Sequence, residues 1–317
     1  MKAARLQETP DSQTLLNQIV VEFMREQRRR RRFRWIVRVF FLLLILVGGY
    51  QIAKSFTEDV KVRSKAHVGL IDVTGEIASD GAVNADDFAK SLDAAYKSKG
   101  LKAVILRINS PGGSPVQADY IYNQIQYYRE KYPVTPIYSV CVDLCASAAY
   151  YVASASNEIY ANPSSMVGSI GVLFNGFGFV DVLHKVGVSR RLFTAGKNKG
   201  FFDPFSPIDA HQTQFLQTML DTVHTTFIDK VKAGRGERLK IDADTFSGLV
   251  WVGIQAKDRG LIDGFASAGQ LIRDKIKLDQ VVDYTIKPSV LDRVSKGMTS
   301  SMLPSKLLGE GLMQSMR

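Results

Sequence analysis

The sequence predicts an α/β domain with a largely parallel sheet, carried behind a single N-terminal membrane-spanning helix. Three observations predict it. Residues 39–47 (VFFLLLILV) contain no polar side chain, and the 19 residues 35–53 around them hold one charge, Arg38. From His67 onward, β-branched runs alternate with amphipathic ones. The strand-like runs are almost continuously apolar, as parallel strands covered on both faces are. A length of 317 residues with 45% hydrophobic and 23% charged composition supports one sizeable core. It excludes collagen-like, disulfide-stapled and wholly disordered chains.

The formal net charge of +10 is mostly local, because residues 1–54 hold eleven Lys and Arg against four Asp and Glu. Most of that excess lies in residues 25–38 (REQRRRRRFRWIVR), directly before the apolar run. Residues 1–34 thus read as a basic cytoplasmic segment and 35–53 as a transmembrane helix in contact with membrane lipid, with Arg38 snorkelling to the headgroups. The arginine cluster on one side and Lys54 alone on the other place the N-terminus in the cytoplasm and the remainder beyond the inner membrane. A cleaved signal peptide is the competing reading, disfavoured by a preceding basic region of over 30 residues and by the lack of a clean Ala-x-Ala site. A basic cluster abutting an apolar helix is a topology signal that also attracts anionic lipid, so no nucleic-acid partner is expected.

Polar residues 54–66 read as a linker. Then 67–73 (HVGLIDV) and 102–108 (KAVILRI) read as strands around an amphipathic helix at 85–97. The alternation continues with a helix at 116–130, a strand at 136–142, a helix at 147–156, short strands at 158–161 and 169–174, an amphipathic run at 178–186 and a strand at 190–194. A long helix is expected at 209–233, and 253–263 (GIQAKDRGLID) reads as a helix ending at Gly260 before a short strand. The expected folded domain is 67–280. Residues 281–317 lose the periodicity and read as a C-terminal tail. Cys141 and Cys145 sit four apart at the end of a strand. They could pair in an oxidising compartment, but buried free thiols are favoured, and no neighbouring His supports zinc.

Two strand-to-helix junctions carry candidate chemistry. In NSPGG (109–113) the paired glycines allow backbone amides to face a cleft and bind an oxyanion; an ordinary tight turn is the plain alternative. In CASAAYY (145–151) a serine at the junction, Ser147, presents its hydroxyl at the sheet edge with the Ala148 N–H beside it; the plain alternative is an N-cap. A serine nucleophile requires a base. Of four histidines only His184 is a plausible triad member, and a lysine is the stronger candidate. Lys197 and Lys199 lie in TAGKNKGFFDPFSP (194–207), where Phe201, Phe202 and Phe205 could bury an amine and lower its pKa. Ser169, in GSIGV (168–172), offers a hydroxyl to hold that amine.

NSPGG, CASAAYY, GSIGV, GKNKGFFDPFSP and GIQAKDRGLID occur in this order. Together they make the chain resemble the bacterial signal peptide peptidase A family, membrane-anchored Ser/Lys proteases of the ClpP/crotonase superfamily. The resemblance spans roughly residues 67–276. It implies a repeated β-β-α superhelical core, Ser147 as nucleophile, Lys199 as general base with Lys197 its rival, and Ser169 as the lysine-orienting hydroxyl. It also implies an oxyanion hole from the N–H groups of Gly113, or Gly112, and Ala148, with no metal or organic cofactor. Ala148-Ala149 stands where the family commonly has Gly-Gly, which keeps the donor, and Gly200 where many members have Asp. The implied substrates are remnant signal peptides and other hydrophobic peptides at the membrane, and the implied assembly is a homo-oligomer. A ClpP-type triad using His184 and a non-catalytic crotonase-like membrane scaffold remain as alternatives.

Overall fold

The computed structural model describes residues 12–286, with the side chains of 12–19, 52–53 and 55–62 left aside. It divides into two units, Met1–Lys61 and Val62–Arg317. The first is built on helix α1, Ser12–Ser64, which runs without interruption through the arginine cluster, the apolar run and the polar stretch beyond it. Within it Val20–Gln51 is long and apolar enough to cross a membrane. The polar residues expected to form a linker are helical as far as Ser64, because that stretch holds neither Gly nor Pro to break the hydrogen-bond ladder.

The second unit is built on one eight-stranded sheet. Strands β1 (His67–Thr74), β2 (Leu101–Ser110) and β3 (Ile137–Ala146) form its centre, joined by α2 (Ala85–Tyr96) and α3 (Pro115–Lys131). After β3 come α4 (Ala148–Ser154), β4 (Glu158–Ala161), β5 (Met166–Gly168), α5 (Val180–Lys185) and α6 (Ala210–Arg235). The chain then forms β6 (Val250–Val252), α7 (Gly253–Asp258), β7 (Gly264–Phe265), α8 (Ala268–Gln270), a π-helical turn Leu271–Ile276 and β8 (Val281–Asp283). The strand order is β6-β5-β3-β2-β1-β8, with β4 pairing β3 and β7; all pairings are parallel except β5 with β6.

Alternate strand residues enter two cores, as the two-residue period of a strand requires. Ile71, Val73, Val104, Leu106, Ile108, Ile137, Cys141 and Cys145 pack with the helices α2, α3 and α4, while Val68, Ala103, Ile105, Tyr138 and Val140 pack with Leu271 on the other face. The helices start where the sequence provides a cap. Asn84, Ser114 and Asp209 each accept the backbone N–H three residues on.

One irregularity decides where the chemistry can sit. Ile108 pairs with Cys141 and Ser110 with Cys145, so three residues of β3 stand opposite Asn109 alone. The Asn109 side chain fills this bulge, accepting from Leu144 N–H at 3.1 Å and donating to Asp143 at 3.2 Å. Buried Ser165 donates from the far side to the Cys141 and Val142 carbonyls. Because of the bulge, the first half of β3 pairs with β4 and the second half with β5. Both cysteines are free and buried.

Three expectations differ. Residues 190–194 form no strand and are exposed, and among the described residues no strand lies beside them. Residues 169–174 are irregular; β5 ends at Gly168, where the chain turns at Ser169. Residues 281–283 join the sheet as β8 beside β1 instead of beginning the tail. The rest of that expected tail, 287–317, lies outside the described residues.

Candidate active site

Ser147 stands between β3 and α4 with φ 54° and ψ −125°, a conformation costing a non-glycine residue about 1–3 kcal/mol. The surroundings hold it there. Its N–H donates to the Gly168 carbonyl at 2.8 Å, and its carbonyl accepts from Tyr151 N–H at 3.0 Å. The side chain makes no capping hydrogen bond, so the N-cap alternative is not what the fold builds. Ser147 is left half-buried at the C-terminal edge of the sheet.

The Gly112–Gly113 loop lies against this elbow. A Cβ on Gly112 would stand 2.8 Å from the Ser147 Cβ and 2.9 Å from the Ala148 nitrogen, so only glycine permits the approach, and φ of 109° demands it independently. Ile77 secures the loop: its N–H donates to the Gly112 carbonyl at 2.9 Å and its carbonyl accepts from Ser114 N–H at 2.7 Å. The two glycine amides differ. That of Gly112 donates to Ser110 Oγ at 3.1 Å, whereas that of Gly113 takes no part in these bonds. Ala148 opens α4, where the first amides of a helix lack intrahelical acceptors. The Gly113 and Ala148 amides are the ones expected from the sequence to face an oxyanion, and neither is used in these bonds.

Ser169 emerges beside Ser147, because Ala146 and Gly168 are paired at the ends of parallel strands β3 and β5. It too has positive φ, 51°. Its N–H donates to the Leu249 carbonyl at 2.8 Å, and the next residue's carbonyl, that of Ile170, accepts from His224 Nε2 at 3.0 Å. Trp251 closes the far side, its Cδ1 lying 3.0 Å from where a Gly168 Cβ would be. Sequence reasoning missed Ile77, His224 and Trp251 in these roles. Only His224 left a signal, lying in one helical row with Phe227 and Val231.

Lys199 sits differently from the expectation. It is exposed on a turn in which its N–H donates to the Gly196 carbonyl at 3.1 Å, and no hydrogen bond joins it to Ser147. The aromatic side chains expected to bury it pack on one another instead. Phe202 meets Phe174 and Phe201, Phe201 meets Phe215, and Phe205 stacks on Phe179. Ser206 and Arg190 bind Asp203 and close the same segment. Lys197 and His184 are also exposed.

Polar ties fix α4, the helix that follows Ser147. Tyr151 of α4 donates to Asp119 of α3 at 2.8 Å, and Lys230 of α6 pairs with the same carboxylate at 2.9 Å. Burial and the Asp119 contact push the Tyr151 phenol up, so it stays a donor. At the end of α6 the fully buried Arg235 holds Asp263 through two hydrogen bonds of 2.7 and 3.0 Å, and Ile159 N–H adds a third at 2.7 Å. Burial alone would raise the Asp263 pKa, but these donors and the charge of Arg235 outweigh it and lower it.

A strained serine at a strand-to-helix elbow, facing backbone amides on a mixed α/β sheet, defines a ClpP-like serine peptidase domain. The Clp protease family model matches residues 64–167, which contain the elbow and the glycine loop, and the model described as Peptidase family S49 matches residues 129–282. A putative protease, slr0021, of Synechocystis is 31% identical over 236 residues, covering 70% of this chain and 82% of that protein. A putative signal peptide peptidase SppA of Enterococcus faecium is 26% identical over 245 residues, covering 75% and 69%. A Brucella abortus protein named Na(+)/H(+) antiporter NhaA is 39% identical over 232 residues, 70% of this chain but 31% of that protein, so the chain spans about a third of that relative. The chain belongs to peptidase family S49, a family of serine-type endopeptidases.

Proposed function

We propose that this chain is a membrane-anchored serine endopeptidase in which Ser147 attacks a peptide carbonyl and Lys199 serves as its base. The observation that carries this is the Ser147 elbow, strained, without a side-chain cap bond, standing at the start of α4 with Gly112 of the glycine loop packed against it. Neutral Lys199 takes the Ser147 proton as Oγ bonds to the carbonyl carbon, and the two amides hold the resulting oxyanion. The lysine then gives that proton to the departing amine as the peptide bond breaks, and water hydrolyses the acyl-enzyme by the same route. Ser169, one strand over, orients the amine.

Exposure of Lys199 supports assembly of the dyad in a homo-oligomer. The segment bearing it leaves Leu173, Phe177, Val186, Phe193 and Ile208 between 65% and 91% exposed, more apolar surface than a lone domain keeps in water. Covering that surface with a second copy would bury Lys199 and disfavour its charged form, which a lysine base requires. Hydrophobic peptides, among them remnant signal peptides, are the substrates that suit such surroundings at a bilayer. The arginine cluster before the apolar run orients the anchor with the N-terminus cytoplasmic and the domain beyond the membrane.

The test uses the full-length detergent-solubilised protein. Ser147→Ala and Lys199→Ala should each abolish turnover of a fluorogenic apolar peptide without altering the size of the assembly. A fluorophosphonate should modify Ser147, as read by mass spectrometry. Modification at another serine, or full turnover in Lys199→Ala, refutes the assignment.

A further inference from the structure

α6 lies in two regimes. From Phe227 onward it is seated on the core: Phe227 packs on Tyr151 with ring centroids 4.8 Å apart, Val231 is fully buried, and a Cβ on Gly234 would stand 2.0 Å from the Ser154 carbonyl. Arg235 then locks the end to Asp263. From Ala210 to Val223 no side chain is buried. This outer half carries the Lys199 segment, for Gln212 accepts the N–H of Phe202, itself held at φ 52°. His224 stands where the two regimes meet, half-buried, one turn before Phe227. Its Nε2 lies 3.0 Å from the Ile170 carbonyl, and since a carbonyl can only accept, Nε2 carries the proton.

That bond ends on the segment that needs support most. Gly168, Ser169 and Ile170 run through two consecutive positive-φ residues, at 108° and 51°, and the second bears a side chain. Such a conformation persists only when neighbours over-determine it. Three bonds do so: Ser147 N–H to Gly168, Ser169 N–H to Leu249, and His224 to Ile170. Of the three, only the last is made by a side chain, and only it comes from the element that also carries the lysine segment. The first makes the Gly168 carbonyl the anchor of the Ser147 backbone, so slack at Ile170 reaches the nucleophile within two residues.

We propose that His224 is a positioning residue for the Ser147 centre, its Nε2–H holding the Gly168–Ile170 segment so that Ser169 and Ser147 keep their places. It touches neither substrate nor the reacting atoms. The inference rests on Ser147 being the nucleophile, as proposed above, and adds the residue that sets its geometry. Loss of the bond lets the strained turn relax. That should lower the chemical step by about tenfold, the order set by one hydrogen bond between well-placed groups. Ground-state peptide binding should be nearly untouched.

The experiment compares His224→Leu, which removes the donor, with His224→Gln, which keeps an N–H at a similar reach, in the full-length assembly. Two quantities are read: kcat and KM for a fluorogenic apolar peptide, and the rate of Ser147 modification by a fluorophosphonate. Expected are a roughly tenfold loss of kcat and of modification rate in His224→Leu with KM within about twofold, and recovery of most of both in His224→Gln. Equal kcat and modification rates in wild type and His224→Leu overturn the inference, as do equal losses in both variants, which would mark a packing role. Should His224→Leu not fold, wild-type kcat in His224→Gln supports the donor role, and a tenfold loss there overturns it. Wild-type protein whose Ser147 takes no phosphonate brings down the nucleophile assignment itself and this inference with it. Normal wild-type labelling beside an unimpaired His224→Leu removes this inference alone.

Discussion

Gly112→Ala isolates the contribution of the loop packed against Ser147, the proposed nucleophile. The added Cβ would lie 2.8 Å from the Ala146 carbonyl oxygen, 2.8 Å from the Ser147 Cβ and 2.9 Å from the Ala148 nitrogen, at φ 109°. Ordinary contact begins near 3.4 Å, so loop and elbow must part by roughly 0.6 Å. The movement cannot be taken up elsewhere, because Ile77 holds the loop by two hydrogen bonds and Gly168 holds the elbow. The loop is therefore pushed off the elbow, and with the Gly113 amide as the proposed oxyanion donor its displacement should lower kcat by about 10²–10³. The conformational penalty on the fold is smaller, about 1–2 kcal/mol. Gly187→Ala is the control: its φ is 71°, but nothing lies within 4 Å of the added Cβ, so it carries the strain without the collision. Turnover of a fluorogenic peptide and urea unfolding, measured on both variants, separate the two effects. Gly112→Ala with wild-type kcat, or activity lost in proportion to unfolded protein alone, would refute the placement of the oxyanion amides.

Other consequences concern the scaffold and the alternatives. Asp263→Asn leaves Arg235 charged, fully buried and half-satisfied, and should destabilise the domain by about 3–5 kcal/mol in urea titrations. Since Asp263 has its pKa lowered in the fold, its contribution is complete above the ordinary value of 3.8 and is lost as pH falls through the lowered one. Acid titration should accordingly cost wild type more stability than Asp263→Asn over that window, and equal slopes would contradict the pairing. The Cys141 and Cys145 thiols should resist alkylation by a maleimide until denaturant is added, because burial and the Cys141 contact push the Cys145 thiol well up; rapid native-state labelling would contradict this. His184→Ala should retain turnover, since the proposed base is Lys199, and a hundredfold loss would favour the triad alternative.

Much of this was legible in the sequence where a local rule and a tertiary one agree. β1 and β2 are apolar on both faces because both faces are covered, and CASAAYY marks the elbow because a small residue must follow a strained serine under a closely packed helix. Beyond the helical continuation of 54–64, what could not be read depends on partners that lie far away in sequence. Three residues, 281–283, cannot display a period, and it is β1, over 200 positions earlier, that makes them a strand. A four-residue spacing of cysteines conceals that the bulge sets them opposite β2 residues two apart, on one face.

The lysine shows the same limit most sharply. The aromatic residues around Lys199 mark it for burial, yet within one chain those rings pack on one another and the amine faces solvent. Composition predicts that a surface will be covered without saying what covers it. The strained φ values at Ser147, Ser169 and Phe202 indicate where the covering must act, since three of the four such non-glycine residues among those described fall on the nucleophile, its neighbour and the lysine turn. Strain held in place at these points is what the proposed site, completed by assembly, would use: Ser147 is held by the fold, and the proposed base, Lys199, would have to arrive.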